Sequence, residues 1–304
     1  MASTDTSISS CFPFTLKHVA VLDSHIAYID TEASHNAAIT AILLHGNPTS
    51  SYIWRNIIPH VSPVVRCIAP DLIGMGKSGK PIITYRFVDH ARYLDAFLDA
   101  VNPNGPVVIV AQDWGSALGL HWAFRHQDRI AGLALMEFIR PFSTWDDAGG
   151  VQAQEVFKRF RDPVVGRKLI MEDDVFVKVL LPGGVVRGLT GEEQGYYSSP
   201  FPTVALREPV WRWPNEIPIE GHPKDVFEIA VKYHDWLLET DKPKLLFWAT
   251  PGAFINPEKA REYAMKLKNV TMVDLGEGRH YLQEDHPHEI GHATAEFIRE
   301  LLHQ

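Results

Sequence analysis

The chain has 304 residues and a formal net charge of −8, with 45% hydrophobic and 22% charged residues. This is the composition of an ordinary globular protein, and its acidic balance argues against nucleic-acid binding, which needs a clustered basic face. The chain has no apolar run near the roughly 20 residues of a membrane span, and its start lacks the features of a secretion signal, so we expect a cytoplasmic protein without a membrane partner.

The chain opens with a polar stretch, and we expect residues 1–12 to form a disordered N-terminal tail. Cys11 in this tail and Cys67 in a predicted strand are too few for a disulfide framework, and both are expected to be free thiols. An antiparallel pair of strands is predicted next, at 14–21 and 24–30.

Apolar, β-branched runs then alternate with amphipathic helical runs, which is typical of a mostly parallel sheet with helices on both faces. The further predicted strands are 38–44, 66–70, 107–112, 130–138, 244–249 and 270–275. The predicted helices of this part are 89–101, 116–126 and 290–302. These elements predict an α/β fold around an eight-stranded sheet.

The stretch 141–222 interrupts the alternation and predicts a helical cap inserted after the sixth strand, which leaves 13–140 and 223–304 as the core. Its predicted helical pieces are 154–160 and 174–181, and its predicted breaks are 182–184, 200–202 and 211–214. The cap is rich in large apolar side chains, among them Phe142, Trp145, Phe157, Phe176, Leu180, Trp211 and Trp213. Together they favour a dry, apolar pocket above the ends of the strands.

The most informative feature is the segment 107–116, in which a strand runs directly into a tight turn at Asp113. It has the form of a nucleophile elbow, where a sharp strand-to-helix turn presents one reactive side chain above the sheet. The usual residue there is serine. A carboxylate that attacks an alkyl carbon forms an ester, which water can cleave, whereas a serine would form a stable ether. Asp113 is therefore the candidate nucleophile.

The partners of an elbow nucleophile follow it in the order acid, then base. The base is expected after the last strand, where His280 lies beside loop-forming glycines. The segment after the preceding strand has no carboxylate before Glu258, so the acid is missing there. Glu137 interrupts an apolar strand, where a charge is costly unless it is paired. We therefore expect Glu137 to orient His280.

An oxyanion hole is expected from the backbone N–H groups of Trp114 and of Asn47 in the first strand-to-helix loop. Their side chains add an indole and an amide donor. Donors that converge beside a carboxylate in an apolar cavity suit a monoatomic anion such as a halide. Without Asp113 beside them, Trp114 would be interpreted as a packing residue and Asn47 as a turn residue.

Five segments, in order along the chain, resemble the haloalkane dehalogenases: 45–51 (HGNPTSS), 71–78 (DLIGMGKS), 112–116 (QDWGS), 136–137 (ME) and 280–285 (HYLQED). The similarity runs from about residue 14 to the end of the chain, and it is to the branch whose acid follows the sixth strand. It implies an α/β-hydrolase fold and neither a metal nor a cofactor. It also implies the same five functional residues: Asp113, Glu137, His280, Asn47 and Trp114.

The resemblance implies that Asp113 displaces halide from a small apolar haloalkane and that the resulting ester is hydrolysed to a primary or secondary alcohol. The pocket residues expected, in part by the same analogy, are Phe157, Phe176, Leu180, Trp213, Pro214, Ala253, Phe254 and Tyr281. The sequence leaves the oligomeric state open, a homo-oligomer included.

Three other functions remain open at this point. Coelenterazine luciferases of the Renilla type, which are monooxygenases, share this scaffold and these segments. An epoxide hydrolase would use the same aspartate and would need Tyr196 or Tyr197 of the cap to protonate an alkoxide. A ligand receptor on the same scaffold would lack parts of the catalytic set, all of which are present here.

Overall fold

The protein is described by a computed structural model over residues 7–32, 38–103 and 105–303. Eight strands form a single sheet in the order β1-β2-β4-β3-β5-β6-β7-β8. The strands are Lys17–Val21 (β1), Ser24–Asp30 (β2), Thr40–Leu44 (β3), Arg66–Pro70 (β4), Val107–Gln112 (β5), Ile130–Phe138 (β6), Lys244–Pro251 (β7) and Val270–Gly278 (β8). The β1–β2 and β2–β4 pairs are antiparallel, and the other pairs are parallel.

The described residues form eleven α-helices, which cover both faces of the sheet or lie in the segment between β6 and β7. They are Ile58–Val61 (α1), Phe87–Val101 (α2), Asp113–Arg125 (α3), Gly150–Arg161 (α4), Leu181–Gly183 (α5), Gly191–Ser198 (α6), Glu208–Glu216 (α7), Lys224–Glu239 (α8), Pro257–Lys266 (α9), Leu282–Asp285 (α10) and Pro287–Leu302 (α11). Two π-helical segments, Arg167–Glu172 and Phe176–Leu180, lie between α4 and α5. No helix within the described ranges is long and apolar enough to cross a bilayer.

The central strands are buried on both sides, which explains their unbroken apolar sequences. In β3, Ile42 and Leu44 belong to one core cluster, while Ala41 and Leu43 belong to the other. This alternation follows from the two-residue period of a strand. The predicted α/β-hydrolase fold with a mostly parallel eight-stranded sheet is thus confirmed.

Two boundaries differ from the prediction in ways that matter for the site. The helix after the elbow begins at Asp113 itself rather than at residue 116. The predicted break at 211–214 is wrong, because these residues lie inside α7 with Pro214 in the helix. A proline within a helix lacks the N–H that would bond to the carbonyl four residues earlier. The Val210 carbonyl therefore lacks the helical hydrogen bond that residue 214 would otherwise donate.

The start of the chain also differs from the expectation. Residues 1–6 of the predicted tail lie outside the described residues, but the end of the predicted tail is packed on the core. The Ser9 carbonyl accepts hydrogen bonds from Arg55 Nε at 2.8 Å and Asn56 Nδ2 at 2.9 Å. The Phe12 ring lies 5.8 Å from that of Tyr52. The prediction that the disordered tail extends to residue 12 is therefore wrong. Hydrogen bonds to the Ser9 carbonyl and packing of the Phe12 ring hold this segment on the core.

Cys11 and Cys67 are both free, the former exposed and the latter buried. Between β6 and α8 the chain leaves the sheet and forms α4–α7, which is the region that the sequence predicts as the cap.

Candidate active site

Asp113 lies where β5 passes into α3 and has a φ of +51°, in the left-handed region that non-glycine residues rarely adopt. The turn is tight on both sides. A Cβ at Gly115 would come within 2.2 Å of the Leu44 carbonyl oxygen, and one at Gly46 would come within 2.2 Å of Asp113 Oδ1. Both positions therefore require glycine, and the carboxylate of Asp113 is held against the end of β3.

Glu137 and His280 meet beside this carboxylate. His280 Nδ1 is 3.1 Å from Glu137 Oε2, and its Nε2 is 3.4 Å from Asp113 Oδ2. Glu137 is fully buried at the end of β6. Its carboxylate also accepts backbone N–H groups from the loop after β7, those of Ala253, Phe254 and Ile255, at 2.8–3.1 Å. The sequence predicted a paired Glu137, and these contacts show its partners.

The electrostatics of His280 follow from this arrangement. Burial disfavours the charged ring, but hydrogen bonds and charges from Asp113 and Glu137 outweigh burial and raise the pKa of His280 to about 9. At neutral pH the ring is therefore protonated. Any loss of charge at Asp113 removes part of the attraction that maintains this state.

Asn47 contacts Asp113 from the loop after β3. Its backbone N–H donates to Asp113 Oδ1 at 2.9 Å, and its side-chain Nδ2 donates to the Val210 carbonyl at 3.2 Å. That carbonyl is the one released by Pro214 in α7. Pro214 thus makes the Val210 carbonyl available as an acceptor that orients the Asn47 side-chain amide. The second N–H of this amide has no hydrogen-bond partner among the described residues.

Trp114, the second residue of α3, lines the cavity, and its ring stacks on that of Trp213 with centroids 4.4 Å apart. Trp213 in turn stacks on His90 of α2 at 4.0 Å. Trp213 was predicted to line the pocket, and this is wrong, because it is fully buried behind Trp114. Successive helical residues point about 100° apart, so Pro214 faces the cavity and Trp213 faces the core.

These groups lie at the floor of a cavity of about 470 Å³. Asp113, Asn47, Trp114 and His280 all line it. The predicted pocket residues that also line it are Phe157, Phe176, Leu180, Pro214, Ala253, Phe254 and Tyr281. Further residues that line the cavity were not predicted from the sequence, among them Val179, Ile217 and Arg279. Arg279 was detectable in principle, since it directly precedes His280.

The cap is attached to the loop that carries His280. The Gly184 carbonyl accepts the backbone N–H groups of both His280 and Tyr281 at 3.1 Å. The Tyr281 hydroxyl donates to the Asn47 carbonyl at 3.0 Å. The positions of His280 and of the Asn47 loop are therefore coupled through one tyrosine, Tyr281.

A group of four buried or half-buried charges, here named the charge cluster, joins core, cap and catalytic loop: Arg55, Arg187, Glu193 and Glu284. Arg55 donates to Glu193 at 2.6 Å and to Glu284 at 2.7 Å, and Arg187 donates to Glu284 at 2.6 Å. No feature of the sequence predicted this arrangement, because Arg55 and Glu284 are far from each other and from the Arg187–Glu193 pair along the chain.

The two cap tyrosines required for an epoxide hydrolase are engaged elsewhere. The Tyr197 hydroxyl is hydrogen-bonded to Glu284 of the charge cluster, and the Tyr196 ring stacks on Tyr52 at 3.8 Å. Neither residue is among the described residues that line the cavity. The arrangement therefore lacks these acidic donors for an alkoxide leaving group.

A family with the alpha/beta hydrolase fold matches residues 41–165. Two relatives named haloalkane dehalogenase, from Mesorhizobium japonicum and Bradyrhizobium diazoefficiens, are 54% and 48% identical to this chain over 93% of its length, and over 91% and 94% of theirs. The crystal structure of a haloalkane dehalogenase from Bradyrhizobium elkani is similar with a TM-score of 0.92 and 48% identity, covering 95% of this chain and 98% of that one.

Proposed function

This chain belongs to the haloalkane dehalogenases and hydrolyses carbon–halogen bonds, and we propose that Asp113, His280 and Glu137 carry out the reaction with Asn47 and Trp114 as the halide site. The observation that supports these roles is the position of His280 between two carboxylates at the floor of an apolar cavity. Asp113 serves as nucleophile, His280 as base and Glu137 as the residue that orients the base.

In the first half-reaction, an Asp113 carboxylate oxygen attacks the halogen-bearing carbon and the carbon–halogen bond breaks, with the electron pair leaving on the halide. Oδ2 is the attacking oxygen in this proposal, because Oδ1 already accepts the Asn47 N–H. The Trp114 indole N–H and the free Asn47 amide N–H stabilise the halide as its charge develops, which is where fixed donors lower the barrier most.

In the second half-reaction, His280 Nε2 takes a proton from a water whose oxygen attacks the ester carbonyl. Oδ1 becomes the oxyanion and is held by the backbone N–H groups of Asn47 and Trp114. The intermediate then expels the alcohol, which takes a proton from His280, and the acid that remains ionises to restore Asp113. The sum is one alcohol, one halide and one proton from one haloalkane and one water.

The raised pKa of His280 fits this order of events. Before alkylation the protonated ring is paired with the Asp113 carboxylate, and the pKa is about 9. Alkylation removes the charge of Asp113, so the pKa of His280 falls and the ring releases its proton. The base therefore becomes available at the stage of the cycle that uses it.

A single assay tests the proposed function. We expect purified protein to release bromide continuously from 1-bromobutane or 1,3-dibromopropane, with one proton released per bromide. The same protein is expected to give no light with coelenterazine, because the proposed reaction consumes water and no oxygen. Light without bromide release would contradict the proposal and identify the luciferase branch instead.

The halide site carries its own prediction. Trp114→Phe keeps an aromatic ring on Trp213 but removes the indole N–H, so kcat/KM for bromide release is expected to fall by about 10²–10³-fold. The matched control is Trp122→Phe, since Trp122 is a buried tryptophan of the same helix that stacks on His126. If both variants lose the same activity, the loss reflects packing and the halide role of Trp114 is wrong.

Three further features stay proposals. The cap (141–222) is proposed to select small apolar haloalkanes through the aromatic residues that line the cavity. A cytoplasmic location remains a prediction, which fractionation of the source cells would test, and light scattering of the purified protein would decide between a monomer and a homo-oligomer.

A further inference from the structure

Gln112, the last residue of β5, is fully buried and directly precedes the proposed nucleophile. Its side-chain Nε2 lies 3.2 Å from the His280 carbonyl oxygen and 3.0 Å from the His280 ring nitrogen Nε2. The mechanism above assigns it no role.

The carbonyl contact establishes which end of the amide faces His280. A backbone carbonyl only accepts hydrogen bonds, so the atom beside it must be the NH₂ group of Gln112 and not its oxygen. The same NH₂ group therefore directs its second hydrogen towards the His280 Nε2 atom. This contact is a hydrogen bond only when Nε2 carries a lone pair, that is, when the ring is neutral.

The other side of the ring agrees with that protonation state. Glu137 Oε2, a pure acceptor, lies 3.1 Å from His280 Nδ1, so the neutral ring carries its proton on Nδ1. Glu137 and Gln112 together select one neutral tautomer. Asp113 Oδ2, at 3.4 Å from Nε2, favours the opposite state, in which Nε2 is protonated.

We propose that Gln112 is a positioning residue for ester hydrolysis, which returns His280 to the neutral Nδ1–H tautomer once Asp113 has been alkylated. In the free enzyme the Asp113 carboxylate outcompetes the amide and the ring is protonated. In the ester this charge is gone, and the Gln112 N–H disfavours a proton on Nε2. One Gln112 N–H then stays hydrogen-bonded to the His280 carbonyl, while the attacking water replaces the other N–H as the partner of His280 Nε2.

The inference rests on the proposed roles of Asp113 and His280, and the test separates the two. Alkylation is read from the burst of bromide, and hydrolysis is read from decay of the alkylated chain by mass spectrometry after rapid mixing. A missing burst would contradict the role of Asp113 and leave nothing to assign to Gln112. A normal burst with altered decay isolates the hydrolytic step.

For Gln112→Met we expect a burst rate within about threefold of that of the unmodified protein, since the amide does not act on the displacement. Loss of the N–H raises the pKa of His280 in the ester, because that hydrogen bond favours the neutral ring. Hydrolysis is therefore expected to have its acid limb moved to higher pH by about one unit, which makes it about tenfold slower on that limb, and to recover at about pH 10.

Gln112→Glu preserves the shape of the side chain and is the second test variant, to be used if Gln112→Met does not fold. Its carboxylate would accept a hydrogen bond from protonated Nε2, so the acid limb is expected to move further to higher pH. The matched control is Gln283→Met, since Gln283 is another buried glutamine close to His280 in sequence, with no hydrogen-bond partner for its side chain among the described residues. An acid limb unmoved in both Gln112 variants, or equal slowing at every pH, would overturn the proposal.

Discussion

His280→Ala is expected to release one equivalent of bromide per chain and then stop. In the proposed mechanism, displacement needs only the Asp113 carboxylate and the halide site, whereas hydrolysis needs a base. Removal of a positioned base typically slows a step by about 10²–10⁴-fold. The alkylated protein therefore accumulates. Mass spectrometry should detect the alkyl group on the peptide that contains Asp113, and steady bromide release should fall by at least about 10²-fold.

His18→Ala serves as the control for this experiment, because His18 is exposed on β1, far along the sheet from the elbow. It should turn over like the unmodified protein. Sustained turnover by His280→Ala without an adduct would mean that another group activates the water, and the assignment of the base would then be wrong.

The second large effect concerns stability rather than chemistry. Glu284→Gln removes one of the two negative charges of the charge cluster, and Arg55 and Arg187 then share a single buried carboxylate. Removing one partner of a buried ion pair is expected to lower the free energy of unfolding by about 3–5 kcal/mol, because a charge stays buried without compensation. Urea unfolding followed by tryptophan fluorescence measures this change.

The matched control is Glu208→Gln, whose partner Arg167 lies on the surface of the cap at 3.0 Å. A pair that water screens contributes little, so its loss should change the free energy of unfolding by less than about 1 kcal/mol. If the two variants are destabilised equally, the charge cluster has no special role in joining the cap to the core.

The site residues that could be located from the sequence are those whose neighbours along the chain show where they lie in the fold. Asp113 is predicted by a strand that runs into a tight turn, and His280 by its place after the last strand. Glu137 follows from the rule that parallel strands end at one edge of the sheet, so a carboxylate at the end of β6 lies near the elbow.

The parts that were wrong or missed depend on how distant segments pack. Trp213 was placed in the pocket because the composition of the cap indicates an apolar lining, but the rotation of α7 about its axis decides which side chain faces inwards. The role of Gln112 depends on a contact with a residue 168 positions away in the chain. The packed start of the chain depends on Arg55 and Tyr52, and polar composition alone does not predict it.

The charge cluster has a consequence for altering the enzyme by design. It attaches the later part of the cap, with Arg187 and Glu193, to the loop that carries the base. The earlier part, with Phe157, Phe176 and Leu180, forms one side of the cavity wall and has no member in the cluster. Mutant libraries meant to broaden substrate range should therefore be confined to 148–180, where new side chains change the space available to the haloalkane while the base stays aligned.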